Sequence, residues 1–455
     1  MRWTLKTAPN VSLVDELSEV LSIDKVLSSL LIQRGIHTFE QAKKFFRPSL
    51  DDLHDPFLLK DMDIAISRIE KAIANNENIL IYGDYDVDGT TAVSLVSSYL
   101  KTITNNIATY IPDRYNEGYG ISTQGIDFAA DHNFSLIIAL DCGIKALDKV
   151  KYASQKNIDF IICDHHKPGD KIPKAVAVLN PKRKDCSYPF DELCGCGVGF
   201  KLIQALASKR GQTLEDLTTY LDLVATAIAA DIVPVTGENR ILTYFGLQVI
   251  NSNPRNGIKA IIQGVKKNIL TITDVVFIIA PRINAAGRTG ASDLGFRLLT
   301  SQSEDEVMAI SERLNNLNQQ RQNIEQTVLF EATNIIEEEL VSRKLNSIPN
   351  SIVVNGDNWH LGVLGIVASR LKEKYYRPSF VISTSDGIST GSARSVSGID
   401  VGEMIIDAVN KGILRSGGGH KMAGGFSLDS SRFEEFKEFC NKKIFDESDE
   451  NSLKK

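Results

Sequence analysis

The chain has 455 residues, 43% hydrophobic and 24% charged, with 51 Lys and Arg against 57 Asp and Glu and a formal net charge of −6. This is the composition of a soluble globular protein too long for one ordinary core, so two or three domains are expected, and no apolar run nears the roughly 20 residues that span a bilayer. The charge argues against a nucleic-acid binder working through a basic domain, unless bound cations neutralise part of the acid and local basic patches make the contact.

Six cysteines in so long a chain are no disulfide framework. Cys186, Cys194 and Cys196 lack the fourth ligand of a structural zinc site, so they read as reduced thiols, with Gly195 and Gly197 marking a tight turn. Met1-Arg2-Trp3-Thr4-Leu5-Lys6 lacks the apolar core of a signal peptide, which places the expected protein in the cytoplasm, away from membranes.

Residues 1–75 read as a helical, peripheral region, with helical apolar spacing over Val11 to Leu21 and Ile64 to Ile73 and with Pro48 and Pro56 between. From 76 to 302 apolar strand-like runs alternate with helical segments, the pattern of an α/β domain on a parallel sheet. Three runs, Ile79 to Tyr82, Leu136 to Leu140 and Phe160 to Cys163, are each followed at once by acid: Gly83-Asp84-Tyr85-Asp86-Val87-Asp88-Gly89, Asp141-Cys142-Gly143 and Asp164-His165-His166. Residues leaving parallel strands meet at one sheet edge, where open α/β folds bind ligands. The period of two of a strand would point Asp84 and Asp86 the same way as the strand ends, Asp88 joining them, and since the helical segment Asp88 to Leu100 follows directly, Asp88 sits near a helix N-terminus.

So many carboxylates in one crevice repel each other unless cations lie among them, and oxygen donors with one or two imidazoles suit Mg²⁺ or Mn²⁺, two ions being expected. Asp141 is the natural bridging carboxylate, His165 or His166 completes a coordination sphere, and Asp164 orients an imidazole. Asp231, after the apolar stretch Leu223 to Ala230, is a further candidate ligand. Taken singly, Asp84 or Asp88 could cap a helix, Asp141 could be a turn residue and the histidines surface decoration; jointly these roles would require independent coincidences at successive strand ends.

Residues 240–300 read as helical, broken by a loop at Pro281-Arg282-Ile283-Asn284-Ala285-Ala286-Gly287-Arg288. Residues 303–345, polar and free of Pro and Gly, predict one long connecting helix. A second, smaller α/β unit over 346–430 starts at Ser351-Ile352-Val353-Val354, with a helix near Ile366 to Lys374, a strand at Phe380 to Ile382 and a glycine-dense stretch from Gly417 to Gly425. A tail, 431–455, frays from about Glu447. Phosphate is gripped best by guanidinium forks, so Arg114, Arg282, Arg288 and Arg394 are candidate substrate contacts, with His420 beside its glycines. Tyr115 and Tyr119, flanking Arg114, could stack on unpaired bases or lie in the core.

These motifs resemble the DHH phosphoesterase superfamily, and Gly391-Ser392-Ala393-Arg394-Ser395 with Gly418-Gly419-His420 and Ala423-Gly424-Gly425 resembles its companion DHHA1 domain. Within the superfamily, Ile111-Pro112-Asp113-Arg114, Val233-Pro234-Val235-Thr236-Gly237-Glu238-Asn239-Arg240 and the Pro281–Arg288 segment are similar to the RecJ family of bacterial single-strand exonucleases. The resemblance implies a parallel-sheet DHH domain joined by a long helix to a DHHA1 domain, and release of mononucleotides from the 5′ end of single-stranded DNA in repair and recombination.

It further implies metal ligation by Asp86, Asp88, Asp141, His165 and Asp231, with Asp84 and His166 close by, and a catalytic Asp164-His165-His166 triplet. Ser392 and Arg394 would hold the terminal 5′ phosphate, and Arg114 and Arg288 the strand. A single-stranded-DNA-binding protein and a helicase are the implied protein partners. Only about 27 residues follow Gly425 to Leu428, too few for the oligonucleotide-binding barrel expected there, which implies a truncated or core-only form. Rival readings are a DHH phosphodiesterase for short oligoribonucleotides or cyclic dinucleotides, and a catalytically silent scaffold.

Overall fold

The computed structural model describes residues 5–114, 116–288, 290–342 and 348–447; Tyr115, the end of the expected connecting helix (343–345), the first four residues and the last eight lie outside it. The chain divides into two compact units, one over Lys6–Leu317 and one from Asn318 onward.

The first unit is built on five strands, β1 (Asn78–Gly83), β2 (Ile107–Tyr110), β3 (Phe134–Leu140), β4 (Asp159–Cys163) and β5 (Ala177–Leu179), in the order β2-β1-β3-β4-β5. All pairings are parallel. Both faces of the sheet are covered. Ile79, Ile81, Ile138 and Leu140 pack with helices Met62–Ala74, Val87–Leu100 and Gly195–Lys209, whereas Leu80, Tyr82, Ile137 and Ala139 face helices Thr123–Asp131 and Leu147–Gln155. Burial on both faces is why these strands read as continuous apolar runs, each Ile or Leu contributing about 1.5–3 kcal/mol.

The helices Val11–Leu21, Lys25–Ile32 and Phe39–Phe46 enclose a small cluster of their own around Leu17, Leu31 and Ile36. Helix Met62–Ala74 is different: Met62, Ala65, Ile69 and Ala72 are fully buried in the main core. The N-terminal region is therefore peripheral only as far as Phe46, because Leu53, Leu59 and this helix cover one face of the sheet.

Pro281 to Arg288, expected as a loop, is helical. A wide π turn over Val275–Ile279 precedes it, the Ala280 N–H donating to the Val275 carbonyl, and Arg282 Nη1 donates to the Ile278 carbonyl at 2.6 Å. Gly287 is there for close packing: a Cβ would lie 2.6 Å from the Tyr85 carbonyl oxygen.

A helix of 39 residues, Glu304–Ser342, leads into the second unit, with Val307 and Leu314 in the first core and Val328, Ala332 and Ile336 in a later one. There β6 (Ile352–Asp357), β7 (Ser379–Ser385), β8 (Ile388–Arg394), β9 (Ser416–His420) and β10 (Ala423–Asp429) form a sheet ordered β6-β7-β8-β10-β9. Only β6 and β7 run parallel. The stretch Gly417 to Gly425 is thus a hairpin of two strands. Residues from 431 are not a tail as far as Glu447: helix Phe433–Glu447 buries Phe436, Cys440 and Ile444 against Phe380 and Phe426.

Candidate metal centre

Sheet register explains why the acids converge. Gly83 is level with Leu140, Leu140 with Cys163, and Cys163 with Leu179. The next residues of β1, β3 and β4, namely Asp84, Asp141 and Asp164, therefore leave at one edge. They flank the point where strand order reverses between β2-β1 and β1-β3, the usual ligand crevice of such sheets.

The expected strand geometry of Asp84 and Asp86 is not found, since β1 ends at Gly83, whereas Asp88 lies near a helix N-terminus as expected. Asp86 is instead the N-cap of helix Val87–Leu100, its Oδ1 accepting the Gly89 N–H at 2.9 Å. Asp88, in that helix's first turn, meets a second helix end: Gly195 N–H donates to its Oδ2 at 2.6 Å and Cys196 N–H to its Oδ1 at 2.7 Å. Two helix N-termini thus stabilise the Asp88 carboxylate. Gly195 and Gly197 are accordingly not a turn but the start of helix Gly195–Lys209, capped by Cys194. A Cβ on Gly195 would lie 2.5 Å from Asp141 Oδ1. The Cys-Gly-Cys-Gly run was the missed signal, since small residues at a helix start leave room for an anion.

Asp141 follows β3 in the left-handed region (φ 58°) and is 1% exposed. His165 Nε2 lies 3.2 Å from Asp141 Oδ1, 3.6 Å from Asp231 Oδ2 and 3.7 Å from Asp88 Oδ2. Asp231 ends helix Leu221–Asp231 and is more open, its side chain 30% exposed. Two overlapping donor sets result, Asp141-His165-His166 and Asp88-His165-Asp231, each with ligand atoms within 4.8 Å of one another. Asp84, fully buried, and Asp86 adjoin these sets without belonging to either.

The two histidines differ. His166 Nδ1 is 2.8 Å from Asp164 Oδ1 and its Nε2 is 3.1 Å from the Tyr119 hydroxyl, so both ring nitrogens are engaged. Asp164 also accepts the Ile144 N–H at 2.9 Å, which anchors this pair to the loop after β3. Burial opposes a proton on His166, but the Asp164 hydrogen bond and charge outweigh it and raise its pKa. His165 has no hydrogen-bond partner on either nitrogen, and burial, then the neighbouring His166, pushes its pKa down to about 4. It is a neutral imidazole with one ring-nitrogen lone pair to give. Tyr119 is not in the core: its ring is exposed and its hydroxyl lies on His166.

Both Asp84 oxygens, Asp141 Oδ1 and both His165 nitrogens are buried without a hydrogen-bond partner. Burial, then Asp88 and Asp86, drives the Asp141 pKa well up, and the same causes push Asp231 up to about 8. Unpaired buried carboxylates that repel one another, beside a neutral imidazole, form a donor set that fits a divalent cation. Lys182, unremarked in the sequence, also reaches this edge, where its charge acts on His165 and Asp231.

Among the remaining candidates, Arg114 lies over the Tyr85 ring at 5.2 Å, and Arg288 ends the helix whose Gly287 abuts Tyr85. Arg282 is tied to Ile278 and, through Nε, to Asn315 at 2.5 Å. In the second unit Ser392 and Arg394, two apart on β8, share a face. Register sets Arg394 level with Ala423 and His420, and Ser392 level with Gly425 and Gly418. Ala393 points the other way into the core. A Cβ on Gly365 would lie 2.8 Å from Arg394 Nη2, so this glycine makes room for the guanidinium.

Residues 78–228 match the model of the DHH family, N-terminal domain, and 349–445 that of the DHHA1 domain. The single-stranded-DNA-specific exonuclease RecJ of Bacillus subtilis is 38% identical over 432 residues, 94% of this chain and 53% of that protein. The Escherichia coli protein of that name is 32% identical over 442 residues, covering 93% and 76%. The crystal structure of RecJ in complex with Mn²⁺ from Thermus thermophilus superposes with a TM-score of 0.84 at 28% identity, covering 98% of this chain and 63% of that one. The chain thus spans about half the length of the Bacillus relative. With its ordered DHH and DHHA1 regions and this identity across most of its length, the chain belongs to the RecJ family.

Proposed function

We propose that the chain is a hydrolase that removes mononucleotides from the 5′ end of single-stranded DNA, using two divalent ions, Mn²⁺ or Mg²⁺. The observation that carries this reading is the set of buried, partnerless donors around Asp141 and His165 at the switch point of the sheet. It is supported by the names of the relatives and by the Thermus RecJ structures, which hold Mn²⁺ and Mg²⁺.

In this reading Asp88, Asp141, His165 and Asp231 hold the ions, with Asp84 and Asp86 supplying further negative charge. When bound, the ions would activate a water and offset charge on the phosphoryl group. The protein's own contribution is orientation. The amides of Gly195 and Cys196 fix the Asp88 carboxylate, and Asp164 fixes His166. Asp164, through its hydrogen bond and charge, favours the protonated form of His166, whose Nε2, on the Tyr119 side, can serve an oxygen of the substrate. Arg114 and Arg288 grip the strand, and Ser392, Arg394 and His420 receive the terminal 5′ phosphate. We place this activity in the cytoplasm, with a helicase and a single-stranded-DNA-binding protein presenting the strand.

The deciding test gives the purified protein Mn²⁺ and a long single strand labelled at either end, beside a labelled dinucleotide. Stepwise release of mononucleotides from the 5′ end supports the proposal; cleavage of the dinucleotide alone would move the protein to short-oligonucleotide chemistry.

A further inference from the structure

The loop between β2 and helix Thr123–Asp131 carries Arg114 and Tyr119 to the rim of the metal centre, and of its described residues from Asp113 to Gly120 only Asn116 and Tyr119 are exposed. Gly118 and Gly120 are in left-handed conformations (φ 84° and 82°) with nothing within 4 Å of where a Cβ would sit. What closes the loop is one carboxylate. Glu117 Oε1 accepts the Asp113 N–H at 2.8 Å, at the loop's entry. Its Oε2 accepts the Tyr110 hydroxyl at 2.8 Å, at the end of β2, and the Ser122 hydroxyl at 2.5 Å, at the loop's exit.

Ser122 is in turn the N-cap of helix Thr123–Asp131, accepting the Gly125 N–H at 2.8 Å. A second tie runs from the buried Tyr82 hydroxyl, which donates to the Gly120 carbonyl at 2.9 Å. Among the described residues no Lys or Arg pairs with Glu117, so its acceptor capacity goes to the loop. None of its partners is an acid or imidazole of the metal centre.

We propose that Glu117 is a positioning residue that fixes this loop so that Arg114 and Tyr119 meet the DNA strand, acting on substrate capture and not on the ions. The inference rests on the reading of Arg114 as a strand contact. Ordering several loop residues costs conformational entropy, which the carboxylate's three hydrogen bonds offset before substrate arrives.

The test measures kcat and KM on single-stranded DNA, and Mn²⁺ affinity by calorimetry, for Glu117→Ala, Glu117→Gln, Arg114→Ala and the Glu117→Ala/Arg114→Ala double variant. Glu117→Ala should raise KM about tenfold, the loss of one net hydrogen bond's worth of loop order. Its kcat should stay within about twofold and its Mn²⁺ affinity unchanged, while Glu117→Gln, which keeps an acceptor oxygen, recovers part of KM. The double variant should fall short of the product of the two single effects, since both act through one loop. A KM raised by Arg114→Ala but not by Glu117→Ala or Glu117→Gln overturns the role of Glu117 alone, and so does a fall in kcat and Mn²⁺ affinity at constant KM. An Arg114→Ala variant with unchanged KM overturns the strand-contact reading beneath it. Should Glu117→Ala fail to fold, Glu117→Gln carries the test: an unchanged KM there refutes the proposal.

Discussion

The parallel sheet of the first unit and the largely antiparallel sheet of the second place polar side chains in different ways. At the first, the candidate ligands come from the loop after a strand or from a helix end, and several are held by backbone amides. At the second, Ser392, Arg394 and His420 come from the strands themselves, and register alone sets them on one face. The metal edge therefore depends on close backbone approach and on mutual electrostatic strain, whereas the β8–β10–β9 face depends on side chains standing on a surface that forms without them.

Substitutions can break that contrast, and the largest effect is expected at Asp141. Asp141→Asn should lower kcat/KM roughly a thousandfold or more, as several kcal/mol of transition-state stabilisation go with the ion. Because Asp141 is buried among like charges, the same variant should melt no lower than the parent protein in chelator. Only the parent should gain a large increment of melting temperature when Mn²⁺ is restored. A variant that unfolds in chelator would show that the cluster holds the fold together, as the β8–β10–β9 face does not.

Two glycine substitutions sharpen the comparison directly. Gly195→Ala sets a methyl 2.5 Å from Asp141 Oδ1, on a short side chain with nowhere to go, and should weaken Mn²⁺ binding about 10- to 100-fold by calorimetry. Gly365→Ala meets only the far end of the Arg394 side chain, at 2.8 Å, and that end can shift. Between them in size stands Arg394→Ala, which should raise KM about tenfold on 5′-phosphorylated strands and abolish their preference over 5′-hydroxyl strands. Arg394→Lys keeps the charge but not the fork and should restore only part of it. Gly365→Ala should change KM by roughly twofold, with Mn²⁺ binding untouched. Equal losses from the two glycine variants would erase the distinction between the regions.

By itself the sequence determined the parallel sheet and the residues at its edge. Strands buried on both faces must be apolar throughout, so Ile79 to Tyr82, Leu136 to Leu140 and Phe160 to Cys163 stand out, and the acids that follow them stand out by contrast. The long helix was legible for the same reason, as a polar run without Pro or Gly. Tertiary structure alone decided matters in which the backbone or the surroundings do the work. Gly195 and Cys196 contribute N–H groups, and the small residues of that run show room for an anion without showing that Asp88, 107 residues earlier, fills it. Pro281 to Arg288 reads as a breaker until a π turn and the Tyr85 carbonyl are in place. Helix Met62–Ala74 reads as peripheral until the sheet face it covers exists. His165 and His166 are neighbours of one residue type, and only burial beside Asp141 for one, and the Asp164 and Tyr119 contacts for the other, set their protons apart. Pattern carries what each residue needs from solvent; distances between segments far apart in the chain exist only once it has folded.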